Sequence, residues 1–139
     1  MRLQNWRILV GGLFLILCVS LKGETPSSIL QYIQDTQAAY GASILSLQSA
    51  NNASEAAAGL IEFVEKMEKV LATERELNQK FPAFQQKDDF QREINQRGFM
   101  VDFAKWQQLF AQAREKYKDD PAFQAAEKRM VGAGLFGKN

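Results

Sequence analysis

At 139 residues the chain has the length of one domain, and 46% apolar with 24% charged residues is the composition of a folded protein, which excludes a disordered one. Its 17 basic and 16 acidic residues give a net charge of +1, and setting aside Arg2, Arg7 and Lys22 leaves 14 basic against 16 acidic. A body without excess positive charge has no basic patch for phosphates, so no nucleic-acid partner is expected.

Residues 1–23 read as a targeting segment. Arg2 and Arg7 precede Ile8–Leu21, 14 residues without a charge, and Lys22 follows. That apolar run suits the core of a signal peptide and is short for a membrane span of about 20 residues. A cleaved signal peptide, with Ser20 or Gly23 near the cut, is the first reading, and an uncleaved membrane anchor is the second. Lipidation of Cys18 is the third, against which Leu17 stands, because that processing wants a small residue before the cysteine. A helix buried in the fold is the last. All but the last place the body outside the cytoplasm, whether periplasmic, secreted or anchored, and confine membrane contact to residues 1–23. Cys18 is the only cysteine, so the body has no internal disulfide and no thiolate metal site.

Residues 24–28 form a polar linker ending in a helix cap at Ser27 or Ser28. Ile29, Ile33, Thr36, Tyr40, Ile44 and Leu47 then mark one helical face as far as about Ala50, with Gly41 costing about 1 kcal/mol against alanine. Asn51, Asn52 and Ser54 supply a turn and cap. Asn52-Ala53-Ser54 also matches a glycosylation acceptor, but a turn leading into a helix explains it. The second helix runs from about Glu55 to Lys80 on Leu60, Phe63, Met67, Val70 and Leu77, with Glu74 at a shoulder reaching solvent. Pro82 is expected to open a helix that continues from Ala83 to Gln96 on Phe84, Phe90 and Ile94. Gly98 ends or kinks that piece. From Gly98 to Lys118, Phe99, Phe103, Trp106, Phe110, Ala113 and Tyr117 step by three and four along one face, the broadest apolar surface in the chain. Asp120-Pro121 caps a last helix, Ala122 to about Val131. The glycine-rich end, residues 132–139, is expected to be a flexible tail.

Laying Gly59–Gln85 over Gly98–Gln124, an offset of 39 residues, gives nine identities in 27 positions. They include Ala72 with Ala111, Arg75 with Arg114, Glu76 with Glu115, and the run Pro-Ala-Phe-Gln at Pro82–Gln85 and Pro121–Gln124. A period near 40 belongs to helical-hairpin repeats, so residues 59–97 and 98–136 read as two copies of one unit. Chance similarity of two amphipathic helices ending at proline is the alternative. The expected architecture is all-α: one bundle of four or five helices over residues 29–131, following the signal or anchor segment.

Chemistry is sparse. The chain has no histidine, hence no histidine base, no histidine zinc ligand and no histidine-ligated haem. No phosphate-cradling glycine loop is present. Asp88, Asp89 and Glu93 cluster at one helix start and Asp119 with Asp120 at another, where acidic residues belong on dipole grounds alone. No catalytic residue, metal or cofactor is therefore expected, and an enzyme working through carboxylates alone would need a cleft that nothing in the sequence suggests. What remains is contact with other proteins. The expected function is that of an exported or membrane-tethered helical protein acting by protein binding, self-association or a structural role in the cell envelope. An accessory subunit of a membrane complex, held by an uncleaved N-terminal helix, is the alternative. The candidate partner face is Phe99, Phe103, Trp106, Phe110 and Tyr117, although burial in the core is the default fate of such a stripe.

Overall fold

In the computed structural model, which describes residues 25–136, the apolar stripes become five α-helices. They are α1 (Ser27–Ser49), α2 (Ala53–Lys80), α3 (Asp88–Gln96), α4 (Phe99–Tyr117) and α5 (Pro121–Gly132), with a 3-10 turn at Phe84–Gln86. Among the described residues there is no strand. The readings of residues 1–23 as signal, anchor or lipidation site at Cys18 lie outside the described residues.

Helices α1 and α2 form the founding hairpin. Asn52 starts α2: its side chain accepts a hydrogen bond from the Glu55 backbone N–H at 2.9 Å and donates to Glu55 Oε1 at 3.0 Å, a reciprocal cap. Near this turn the two backbones approach closely, because Gly59 is buried against Ser46. A Cβ at Gly59 would lie 2.0 Å from Ser46 Oγ and 2.8 Å from Ser46 Cβ. Farther along, the hairpin is filled by Ile33, Ala39, Leu60, Val64 and Val70, all buried. The expected serine cap on α1 is not formed. Pro26 takes that place without a side-chain hydrogen bond, and its carbonyl accepts from the backbone N–H groups of Ile29 and Leu30.

A second hairpin, α4 and α5, lies over the first. Along α1, Gln37 reaches Asp102, Tyr40 meets Phe103 and Ser43 meets Trp106, so α4 runs parallel to α1. Arg114 pairs with Glu127 at 2.8 Å and Tyr117 meets Phe123, so α5 folds back along α4. It packs on α2, where Arg129 and Glu68 form a two-armed pair at 2.6 and 2.8 Å. Asp120 caps α5 by accepting from the Ala122 and Phe123 N–H groups, with Pro121 in the first turn. Phe123 and Met130 bring α5 into the core at full burial.

The segment between the hairpins departs from expectation. Pro82 does not open a helix running from Ala83. Ala83 is left-handed at φ 55°, Phe84–Gln86 make one 3-10 turn, and Lys87 is extended before α3 begins at Asp88. This break swings Phe84 inward to 1% exposure, where its ring meets Tyr32 and Phe90 edge-on. A continuous helix would have given up one of those seats. Of the glycine-rich end, expected to be a flexible tail over residues 132–139, the structure describes residues 132–136. Gly134 turns left-handed at φ 76°, the Leu135 N–H donates to the Met130 carbonyl, and Leu135 and Phe136 pack on the core.

Candidate functional site

Gly98 positions the aromatic helix. At φ 66° and ψ 22° it adopts a conformation costly for other residues, which separates α3 from α4 across the two-residue turn Arg97-Gly98. Gln37 of α1 clasps this junction, its amide donating to the Arg97 carbonyl at 3.0 Å and to Asp102 Oδ2 at 3.1 Å. Gln37 is one of many glutamines in the chain. No sequence signal marks it, because its two acceptors come from residues 60 and 65 positions away.

Beyond the clasp, Tyr40 is the hub of the face. Its ring centroid lies 5.1 Å from Phe63, 5.6 Å from Phe99, 5.5 Å from Phe103 and 5.4 Å from Trp106, each pair edge-to-face. Trp106 is buried at 2% exposure, and its indole N–H donates to Ser43 Oγ at 2.8 Å. Flat rings then continue outward from it. Phe63 stacks on Trp106 at 4.9 Å, Phe110 at 5.2 Å, and Phe136 lies 6.1 Å from Trp106 and 5.5 Å from Phe110.

Of the five candidate face residues, Trp106 alone is fully buried. Phe99, Phe103, Phe110 and Tyr117 are half-buried, with one side packed inward. The first turn of α4 also carries apolar side chains that packing does not use: Met100 is 56% exposed and Val101 72%.

The chain was compared with protein-family models, curated proteins and solved structures. None matches.

The polar groups divide by role. Tyr32 is buried, donates to Glu74 at 3.2 Å and accepts from Gln85 at 3.0 Å, and its phenol is pushed up to about 12, chiefly by burial and then by the Glu74 charge. Burial alone raises the Tyr40 phenol. Glu55 is held below the usual carboxylate range by the Asn51 N–H and neighbouring amides, and Glu68 by the Arg129 guanidinium. Both shifts favour the ionised form, opposite to what a general acid needs. The two acidic clusters are otherwise engaged. Asp120 caps α5, Glu93 pairs with Arg97 at 3.4 Å, and Asp88 and Asp89 sit in the first turn of α3. Among the described residues no three His, Cys, Asp or Glu side chains converge as metal ligands would.

An open groove of about 350 Å³ is lined by α1 and α2 alone, with Asp35, Lys66, Lys69 and Thr73 around Ala38, Ala39 and Val70. No described helix is long and apolar enough to cross a membrane.

Proposed function

We propose that this chain is a non-catalytic binding protein, exported or membrane-tethered, whose helical body meets a protein partner through the outer edge of α4. The observation that supports this reading is the apolar surplus of that helix. Trp106 of its aromatic stripe is buried in the core, yet Met100 and Val101 stand in water near the half-buried rings of Phe99 and Phe103. Single exposed apolar residues are ordinary, whereas a contiguous run at one end of a helix is a docking feature. A photo-crosslinking residue at position 101 tests the proposal in native membranes and envelope extract, with position 75 on the exposed side of α2 as control. Discrete adducts specific to 101, lost when Met100 is changed to lysine, are expected. Equal labelling at both positions would remove this face from consideration.

The N-terminal segment separates the two envelope readings. An exported protein loses residues 1–23, while an accessory membrane subunit keeps them as its anchor. Mass spectrometry of the native N-terminus decides between them: an intact Met1 or Arg2 end eliminates cleavage, and a lipid mass on Cys18 identifies the third route.

Duplication of a 39-residue unit belongs to the same proposal. Its support is that Phe84 and Phe123, equivalent in the two Pro-Ala-Phe-Gln runs, are both fully buried. The backbone of the two runs differs, a 3-10 turn in one and an α-helix in the other. A set of related sequences would settle it: Ala, Arg, Glu and the proline run kept in register in both segments favour duplication, and their independent drift removes it.

A further inference from the structure

Within the described residues the methionines stand at 67, 100 and 130, and the fold treats them unequally. Met67 in α2 is 7% exposed and Met130 in α5 is 0% exposed, both inside the apolar core. Met100, in the first turn of α4, is 56% exposed. Its surroundings are poor in charge. Residues 98–104 contain one charged side chain, Asp102, to which the Gln37 amide already donates at 3.1 Å. Phe99 and Phe103, nearly parallel at 8° and half-buried, belong to the same stretch. The Met100 thioether is thus a sulfur open to solvent within an apolar, nearly uncharged patch.

We propose that Met100 is an oxidative modification site, and that conversion of its thioether to the sulfoxide by a peroxide closes the α4 face to its protein partner. This rests on the reading of α4 as a binding face and adds its regulation. A sulfur lone pair attacks one peroxide oxygen, and the S–O bond forms as the O–O bond breaks. The proton on the transferred oxygen passes to the departing hydroxide. Sulfur is oxidised by two electrons, the peroxide is reduced by two, and the products are the sulfoxide and water. The change turns a flexible apolar side chain into a polar one. A partner packing there has to strip water from the S–O dipole, which an apolar contact does not return. Because Met100 lies outside the core, its oxidation spares the fold, whereas oxidation of Met67 or Met130 requires the core to open first. Docking and stability are therefore separable, as a switch requires.

Full-length protein exposed to hydrogen peroxide, quenched with catalase and digested tests the site by peptide mass spectrometry. Oxygen should enter Met100 at least about tenfold faster than Met67 or Met130, and unfolding in urea should level the three rates. The urea midpoint should stay unchanged when Met100 is fully oxidised. Adducts from the photo-crosslinker at position 101 should fall severalfold after peroxide and return after treatment with methionine sulfoxide reductases. Met100→Leu, which leaves Met1 and Cys18 free to react, should keep its adducts through the same treatment. Met100→Gln should lose them without peroxide. Oxidation of Met67 or Met130 that keeps pace with Met100 in the folded chain overturns the site. A midpoint that falls with oxidation of Met100 alone overturns the separation of docking from stability, and with it the switch. Adducts at 101 that survive full oxidation of Met100 also overturn the switch, and leave the reading of α4 standing. An untreated protein that gives no adducts at 101 takes down that reading and this inference together.

Discussion

Trp106 concentrates more of the fold than any other side chain, because it is at once the middle of a ring stack and the donor in a buried hydrogen bond. Trp106→Ala should cost about 3–5 kcal/mol in urea unfolding, the range for deleting a large buried aromatic. A loss below about 1 kcal/mol with weakened association would instead mark the residue as part of an interface. Ser43→Ala strands the indole N–H in an apolar surround and should cost about 1–3 kcal/mol, though it removes one atom only. Tyr32 offers a test by titration. Its folded value, about 12, exceeds the ordinary 10, so the stability it contributes is complete below pH 10 and is lost as pH rises toward 12. Ultraviolet titration should show a late phenolate phase that Tyr32→Phe abolishes. If that variant leaves the late phase untouched, the assignment to Tyr32 fails.

Helices in this chain differ in how they begin, and the difference is measurable. Asp120→Ala and Asn52→Ala each remove a cap that satisfies backbone donors, and each should cost about 1 kcal/mol. Ser27→Ala should cost almost nothing, because Pro26 holds the cap position of α1 without side-chain help. Thermal melts of the three variants would check the contrast. Helix propensity alone would favour Gly59→Ala by about 1 kcal/mol. The new methyl would meet Ser46 at 2.0 and 2.8 Å, so a net loss of about 1–3 kcal/mol is expected. The two start signals at Asn52 and Asp120 were legible in sequence because capping is local chemistry, complete within three or four residues. The apolar faces of α1, α2 and α4 were legible for the same reason, being periodic. The break at Ala83 was not, because its cause is distant: Phe84 is drawn toward Tyr32 and Phe90, and that tertiary demand overrides the helical pattern. The candidate face was half legible. Periodicity found the rings of α4, while the hub Tyr40, the clasp Gln37 and the acceptor Ser43 all come from α1 and carry no mark of their partners.

Across the molecule, the two hairpins are joined mainly by apolar packing, and Glu68–Arg129 is the ion pair that ties α2 to α5 among the described residues. Arg129 lowers the Glu68 carboxyl below its ordinary 4.5, so the pair stabilises above that pH and its contribution is lost as pH falls through the lowered value. Both side chains are more than 40% exposed, hence the effect is small and screened by salt. Glu68→Gln should flatten the acid limb of a urea-midpoint profile below the ordinary carboxylate value of 4.5, as should added salt. An acid limb unchanged by the substitution would locate the sensitivity elsewhere.

The close approach at Gly59 has a geometric sequel. Beside the α1–α2 turn the two backbones nearly touch, whereas toward Thr25 a whole tyrosine spans the gap to Glu74. The first hairpin is thus tight at its loop, while at its other end the Tyr32 ring is packed by Phe84 and Phe90.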